Sequence, residues 1–253
     1  MFSKRLFTIL GLGILLSSRG FAGLVLEATT RSGDSISERA VIAISGDRLA
    51  IRTAEGEKGA LSTALVFQAS SGEILFFDHD TKQVMSMNAA TLRGLSRQLQ
   101  GLLDMLPPEH RAQLGALAGK APKIDVEALG RTEKIGGREC AGHRVLKDGK
   151  PEMEVWSFPF AEIGAEAADL KTYKAFFKMM LEMAAAVPGA ADQAGAAFLG
   201  LDRIDGLPAR VRKLSDPVEV TDIVPAVRAV DASLFESPAG YQKAALPFPL
   251  MTP

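Results

Sequence analysis

Few side chains in this sequence are grouped in a way that could do chemistry. The densest polar group is Asp78-His79-Asp80, two carboxylates around an imidazole, the set that serves acid-base catalysis or begins a metal site. It lies between two β-rich runs, where Asp favours turns because its carboxylate accepts nearby backbone N–H groups. A plain turn is therefore expected, and a metal or hydrolytic site would need further ligands from elsewhere in the chain. Cys140-Ala141-Gly142-His143 has the spacing of half a metal knuckle or of a thiol-imidazole pair. On a strand, residues three apart point to opposite faces, so the two side chains converge only if Gly142 makes a bulge. A buried structural thiol is the expectation for Cys140, with redox, metal-binding and intermolecular roles as alternatives. Histidine occurs only at His79, His110 and His143, and neither a Gly-x-Ser-x-Gly elbow nor a His-Glu-x-x-His helix is present. A serine hydrolase or zincin is thereby disfavoured. No Gly-x-Gly-x-x-Gly or P-loop follows a β-rich run, so nucleotide binding lacks its phosphate cradle. No catalytic residue, metal or cofactor is assigned.

The remaining candidates are apolar. Glu152 to Phe158 carries the only tryptophan, and alternation sets Glu154, Trp156 and Phe158 on one face and Met153, Val155 and Ser157 on the other. Bulk on both faces reads as a central strand, or as one whose Trp156 and Phe158 line a cavity for an apolar ligand. Between 166 and 187, Phe176, Phe177, Met180 and Met183 lie in an apolar stripe flanked by Lys171, Lys174 and Lys178. Methionine adapts to irregular partners, and the lysines suit anionic head groups, so a lipid or partner surface stands beside core packing. Leu99 and Leu103 belong to a third stripe, Leu92, Leu95, Leu99, Leu102, Leu103 and Leu106. Trp156, Phe158, Phe176, Phe177, Met180, Met183, Leu99 and Leu103 are accordingly the candidate ligand-binding residues.

These side chains need elements to position them. From 23 to 88, short β-rich runs alternate with turn signals, giving expected strands at 24–30, 40–44, 48–53, 61–69, 73–77 and 83–87. The leucine stripe from 89 to 106 has helical spacing, with Asn88 as N-cap and Pro107-Pro108 as the stop. A second short helix is expected at 109–117. Strands return from 123 through Gly136-Gly137, over 138–146, and across Asp148-Gly149 into 152–158. Helix 166–187 follows, then an Ala/Gly-rich stretch at 189–200 and a strand pair at 207–214 and 218–224. Prolines 247, 249 and 253 disfavour regular structure after Tyr241. Strands interrupted by two groups of helices indicate one α+β domain over 23–241 followed by an irregular tail, 242–253.

With 253 residues, 47% hydrophobic and 23% charged, the chain has globular proportions. A formal charge of -1 gives no electrostatic pull toward nucleic acid. Residues 1–22 read as a signal peptide: Lys4 and Arg5, an apolar run from Leu6 to Leu16 too short to span a bilayer, and Gly20-Phe21-Ala22 as the cleavage site. Cleavage after Ala22 and a periplasmic location are expected, with no stable transmembrane anchor. One cysteine in an exported chain makes no internal disulfide, so stability rests on the core.

Ile135 to Val145 followed by Glu154-Val155-Trp156, then Asp205 to Pro208, then Leu234 to Tyr241, together resemble a family of exported bacterial proteins, a domain of unknown function similar to the LolA-like lipoprotein carriers. The resemblance implies a curved antiparallel sheet, an unclosed half barrel, with helices over a concave face that holds an acyl chain. The expected function is a periplasmic, non-enzymatic binding or carrier protein for a lipid, lipoprotein acyl chain or other apolar molecule. The alternative is an envelope protein-interaction or scaffold module with a filled core.

Overall fold

The computed structural model describes residues 21–105, 107, 123–186 and 200–244. Six strands open the chain: β1 (Phe21–Ser32), β2 (Ser35–Ser45), β3 (Arg48–Glu55), β4 (Ser62–Gln68), β5 (Glu73–Asp78) and β6 (Gln83–Asn88). Helix α1 (Ala89–Met105) follows directly, capped by Asn88, whose Oδ1 accepts from the Thr91 backbone N–H at 2.9 Å. Then come β7 (Ile124–Ile135), β8 (Arg138–Lys147) and β9 (Lys150–Phe158), helix α2 (Ala167–Ala186), and β10 (Leu207–Lys213) and β11 (Glu219–Val230). The chain reaches β12 (Gln242–Ala244) through a 3-10 turn at Ala232–Phe235. The expected signal peptide falls outside the described residues except for Phe21 and Ala22, which already pair in β1. The expected helix at 109–117, with His110, and the stretch 189–199 also lie outside them.

All twelve strands form one open sheet in the order β12-β6-β5-β4-β3-β2-β1-β11-β10-β9-β8-β7. Its two meanders are joined by β1 and β11, antiparallel from Phe21↔Val230 to Ser32↔Glu219. Every pairing is antiparallel except the last: Gln242–Ala244 runs parallel to β6. That corrects the expectation of an irregular tail from 242: Gln242 donates its backbone N–H to Lys82 O at 3.0 Å, so the edge of β6 recruits 242–244 as a strand. The Asp148-Gly149 turn joins β8 to β9 with φ of 52° and 78°, the pair of positive values that a tight hairpin matching strand twist requires.

Both faces of the sheet are apolar. One face carries the main cluster, including Leu24, Ile44, Leu49, Phe67, Trp156 and Phe158, and Phe176 and Met179 of α2 join it. The opposite face holds two smaller clusters, one around Val25, Val66 and Phe77 with Phe235, the other around Val145, Met153 and Val155 with Ile204. This division explains the double-sided apolar pattern of 152–158: Trp156 and Phe158 belong to the first face, Met153 and Val155 to the second. Helix α2 is fastened to the β2–β3 turn by two polar contacts. Asp169 Oδ1 accepts from Gly46 N–H at 2.8 Å, and Thr172 Oγ1 donates to Gly46 O at 2.6 Å.

Candidate functional site

Successive residues on a helix point about 100° apart, and at Phe176-Phe177 that step separates core from cavity. Phe176 is 1% exposed and meets Phe67 of β4 with ring centres 5.6 Å apart. Phe177 is half-buried and stacks on Tyr173 at 4.5 Å, while Tyr173 meets Phe160 edge-on at 6.0 Å. These rings form one wall of a cavity of about 490 Å³ between α2 and residues 201–208. Its apolar lining includes Phe160, Tyr173, Phe177, Leu181, Leu201 and Pro208. Charged residues stand among them: Lys174, Lys178 and Arg203, with Asp205 the one acid of the lining among the described residues. Lys174 Nζ lies 4.8 Å from the Phe160 ring centre, and Arg203 is tied down by donating from Nη1 to Ile124 O at 2.5 Å. Burial raises the Tyr173 phenol far above its usual range, so it stays neutral in the wall.

Gly206, also in the lining, lets the second wall approach. Its φ is 116°, and a Cβ there would fall 2.3 Å from Phe158 O, so only glycine allows the start of β10 to sit against the end of β9. The cavity thus depends on a close backbone contact between strands on one side and on an aromatic helix on the other. Chemically, it offers apolar surface with a cationic border.

The candidate residues from sequence share a cluster but not a cavity. Trp156, Phe158 and Phe176 are buried in the main cluster, and Phe177, Met180 and Met183 are packed against it in half-buried positions. Phe177 lines the cavity just described, Phe158 lines a small one of about 190 Å³ near Ile135, and Trp156 lines a third. The side chains of Leu99 and Leu103 lie outside the described residues. Phe160, Leu181, Leu201, Arg203 and Pro208 escaped sequence reasoning. Leu181 had a usable signal, one helical turn beyond Phe177, whereas 201–208 shows no periodicity to read.

The polar candidates are occupied with structure. Asp78 Oδ1 accepts from the backbone N–H groups of Asp80 at 3.0 Å and Thr81 at 3.1 Å, which hold its carboxyl below the ordinary range. His79 bonds Thr63 O through Nε2 at 2.7 Å and the Tyr241 hydroxyl through Nδ1. In β8, Cys140 pairs with Glu133 and is wholly buried in the main cluster, while His143 pairs with Val155 of the other face. Gly142 keeps regular register with Trp156 of β9, and the irregularity lies opposite it in β7, between Ala128 and Thr132; a Cβ at Gly142 would press on Leu129 Cδ1 at 3.1 Å. Desolvation raises the Cys140 thiol, the reverse of activation. No family model and no curated protein matches this chain.

Proposed function

We propose that this protein is a non-enzymatic binding or carrier protein for a lipid, an acyl chain or a similar apolar ligand, held between α2 and residues 201–208 and acting in the periplasm. The cavity of about 490 Å³ carries the reading, since small-molecule sites are typically about 300 to 1,000 Å³, mostly apolar, with a few polar groups at the border. Burying one methylene is worth about 0.8 kcal/mol, so a chain of about ten contributes roughly 8 kcal/mol before ordering costs, without any specific polar contact. Lys174, Lys178 and Arg203 suit an anionic head group at the mouth. In this reading the open sheet is a LolA-like half barrel with α1 and α2 over its concave face, and the basic and apolar leader directs export.

The alternative of an envelope interaction module is favoured by one observation: Trp156, Phe158 and Phe176 are each less than 5% exposed and fill the main cluster. The two readings part at Phe177. Titration with a fluorescent fatty acid, beside mass spectrometry of organic extracts, tests them. A carrier binds the probe, and Phe177→Glu weakens binding by about tenfold or more while the circular-dichroism melt survives, because the charge enters a half-open cavity and not the core. Wild-type protein that binds no probe and yields no lipid overturns the carrier reading.

A further inference from the structure

A second cavity, of about 570 Å³, has a different chemistry. It opens on the Trp156 face, where the strand register sets Arg210 opposite Trp156, Arg212 opposite Glu154, and Arg144 opposite Glu154 from the other side. Arg131, Glu133, Trp156, Arg210, Arg212 and Val220 line it. Arg210 is spent within the protein, bonding Asp222 at 2.6 Å and Glu133 at 2.8 Å. Arg131 and Arg212 are not. Both turn toward the buried Glu154 carboxylate, where Arg144 holds Oε1 at 3.1 Å and they share Oε2 at only 3.5 and 3.9 Å. Their side chains are 59% and 47% exposed, against 8% for Glu154. One buried carboxylate thus faces three guanidiniums, each carrying five N–H donors.

Two buried donors on the same sheet face are unpaired among the described residues, and one of them, on Trp156, belongs to the cavity lining. Trp156 Nε1 and Arg144 Nε have no acceptor, and a buried orphan N–H costs about 1 to 3 kcal/mol unless something fills it. Arg131 lies over the indole, its guanidinium carbon 5.8 Å from the ring centre. Surplus positive charge, unfilled donors and an aromatic platform beside Val220 occur together.

We propose that this cavity is a binding site for a phosphate-bearing ligand, gripped by the guanidinium forks of Arg131 and Arg212 beside the Trp156 indole. The planar fork matches phosphate oxygens bidentately, and a dianion balances the surplus charge of the arginines better than a carboxylate does. The site is separate from the apolar cavity and does not rest on the carrier reading.

Trp156 is the chain's only tryptophan, so its emission reports this cavity directly. Titration of the full protein with phenyl phosphate is expected to change that emission saturably, with benzoate and phenol binding far more weakly. Arg131→Gln and Arg212→Gln each weaken phenyl phosphate by about tenfold or more, and Arg212→Lys, which keeps charge but loses the fork, recovers part of the loss. Lys58→Gln, exposed and outside both cavities, changes nothing. Folding of each variant is checked by its melt; Arg212 is the safer site because its ion contact is already 3.9 Å long. Binding seen only with phosphatidylcholine vesicles containing phosphatidic acid, and lost in the same variants, assigns the phosphate to a lipid head group. No binding of either probe, equal binding of benzoate, or affinity unchanged in both glutamine variants overturns the assignment.

Discussion

Two neighbouring phenylalanines should respond to the same truncation in opposite ways. Phe176 is 1% exposed, and its ring sits 5.6 Å from Phe67 within the main cluster. Phe176→Ala removes a ring from a closed site, for which about 3 to 5 kcal/mol is the usual cost, lost transfer energy and residual cavity together. Against a total stability of about 5 to 15 kcal/mol, that is a large fraction. For a domain of this size each kcal/mol lowers Tm by about 2 to 4 °C, so the melt should fall by roughly 6 to 20 °C. Phe177 faces a cavity already open to water, so its truncation forfeits mainly the contacts with Tyr173 and Phe176, at 4.5 and 5.8 Å, and costs about 1 to 2 kcal/mol. Fatty-acid affinity should divide the other way: Phe177→Ala widens the site and weakens the probe, while folded Phe176→Ala binds nearly as wild type. Circular-dichroism melts and probe titrations on the same samples decide. Equal destabilisation by both variants, with probe affinity tracking stability alone, would refute the separation of core from cavity along α2.

Asp169 and Cys140 supply two further tests. Burial raises the Asp169 carboxyl above its ordinary 3.8, so the folded state binds that proton more tightly; its ionisation opposes folding above the raised value, and the penalty vanishes as pH falls to about 3.8. Asp169→Asn keeps an acceptor for Gly46 N–H, so in urea unfolding it should match or exceed wild type at pH 7 and lose any advantage near pH 4, whereas Asp169→Ala orphans that N–H and costs about 1 to 3 kcal/mol; an Asn variant whose stability relative to wild type is lower at pH 7 than at pH 4 contradicts the sign. Cys140, wholly buried and with its thiol pKa raised by desolvation, should label slowly with a thiol reagent at pH 8 and rapidly in denaturant, with function kept in Cys140→Ser; fast labelling of native protein contradicts its structural role.

Much of the fold was legible because its signals are local. Strands β1 and β3 to β6 fall on the expected runs within three residues, since period-two alternation and turn residues both act over short distances, whereas β2 starts five residues before the expected 40. Asn88 and the Asp148-Gly149 hairpin were readable for the same reason: one capping side chain or one pair of positive φ values defines each. The length of β11 was not legible. It continues to Val230 through Pro225 because β1 offers twelve residues of antiparallel partner, a tertiary reason that outweighs the local propensity against proline in a strand. Gln242–Ala244 is likewise recruited by an edge that only exists once β6 is in place.

The sites were less legible than the strands because each is assembled across register. Alternation places Glu154 with Trp156, and Arg210 with Arg212, on common faces. Bringing the two pairs opposite each other depends on the irregularity between Pro208 and Arg210, where β10 slips against β9. A regular ladder continued from Leu207↔Phe158 and Pro208↔Ser157 would set Ala209 opposite Trp156 and Arg210 opposite Val155, sending both arginines to the other face. Pro208, which has no N–H for the ladder, is the one residue in 207–213 that hints at the slip, and it does not fix the slip's direction; glycine is absent from the segment. Arg131 depends on a second irregularity, between Ala128 and Thr132 of β7. The arginine cavity is therefore a product of two breaks in strand register, features over-represented where a sheet must re-aim a side chain for binding. The aromatic cavity has the reverse origin: its helical wall could be read from the Phe177 stripe, while its other wall needed Gly206 to bring β10 against Phe158.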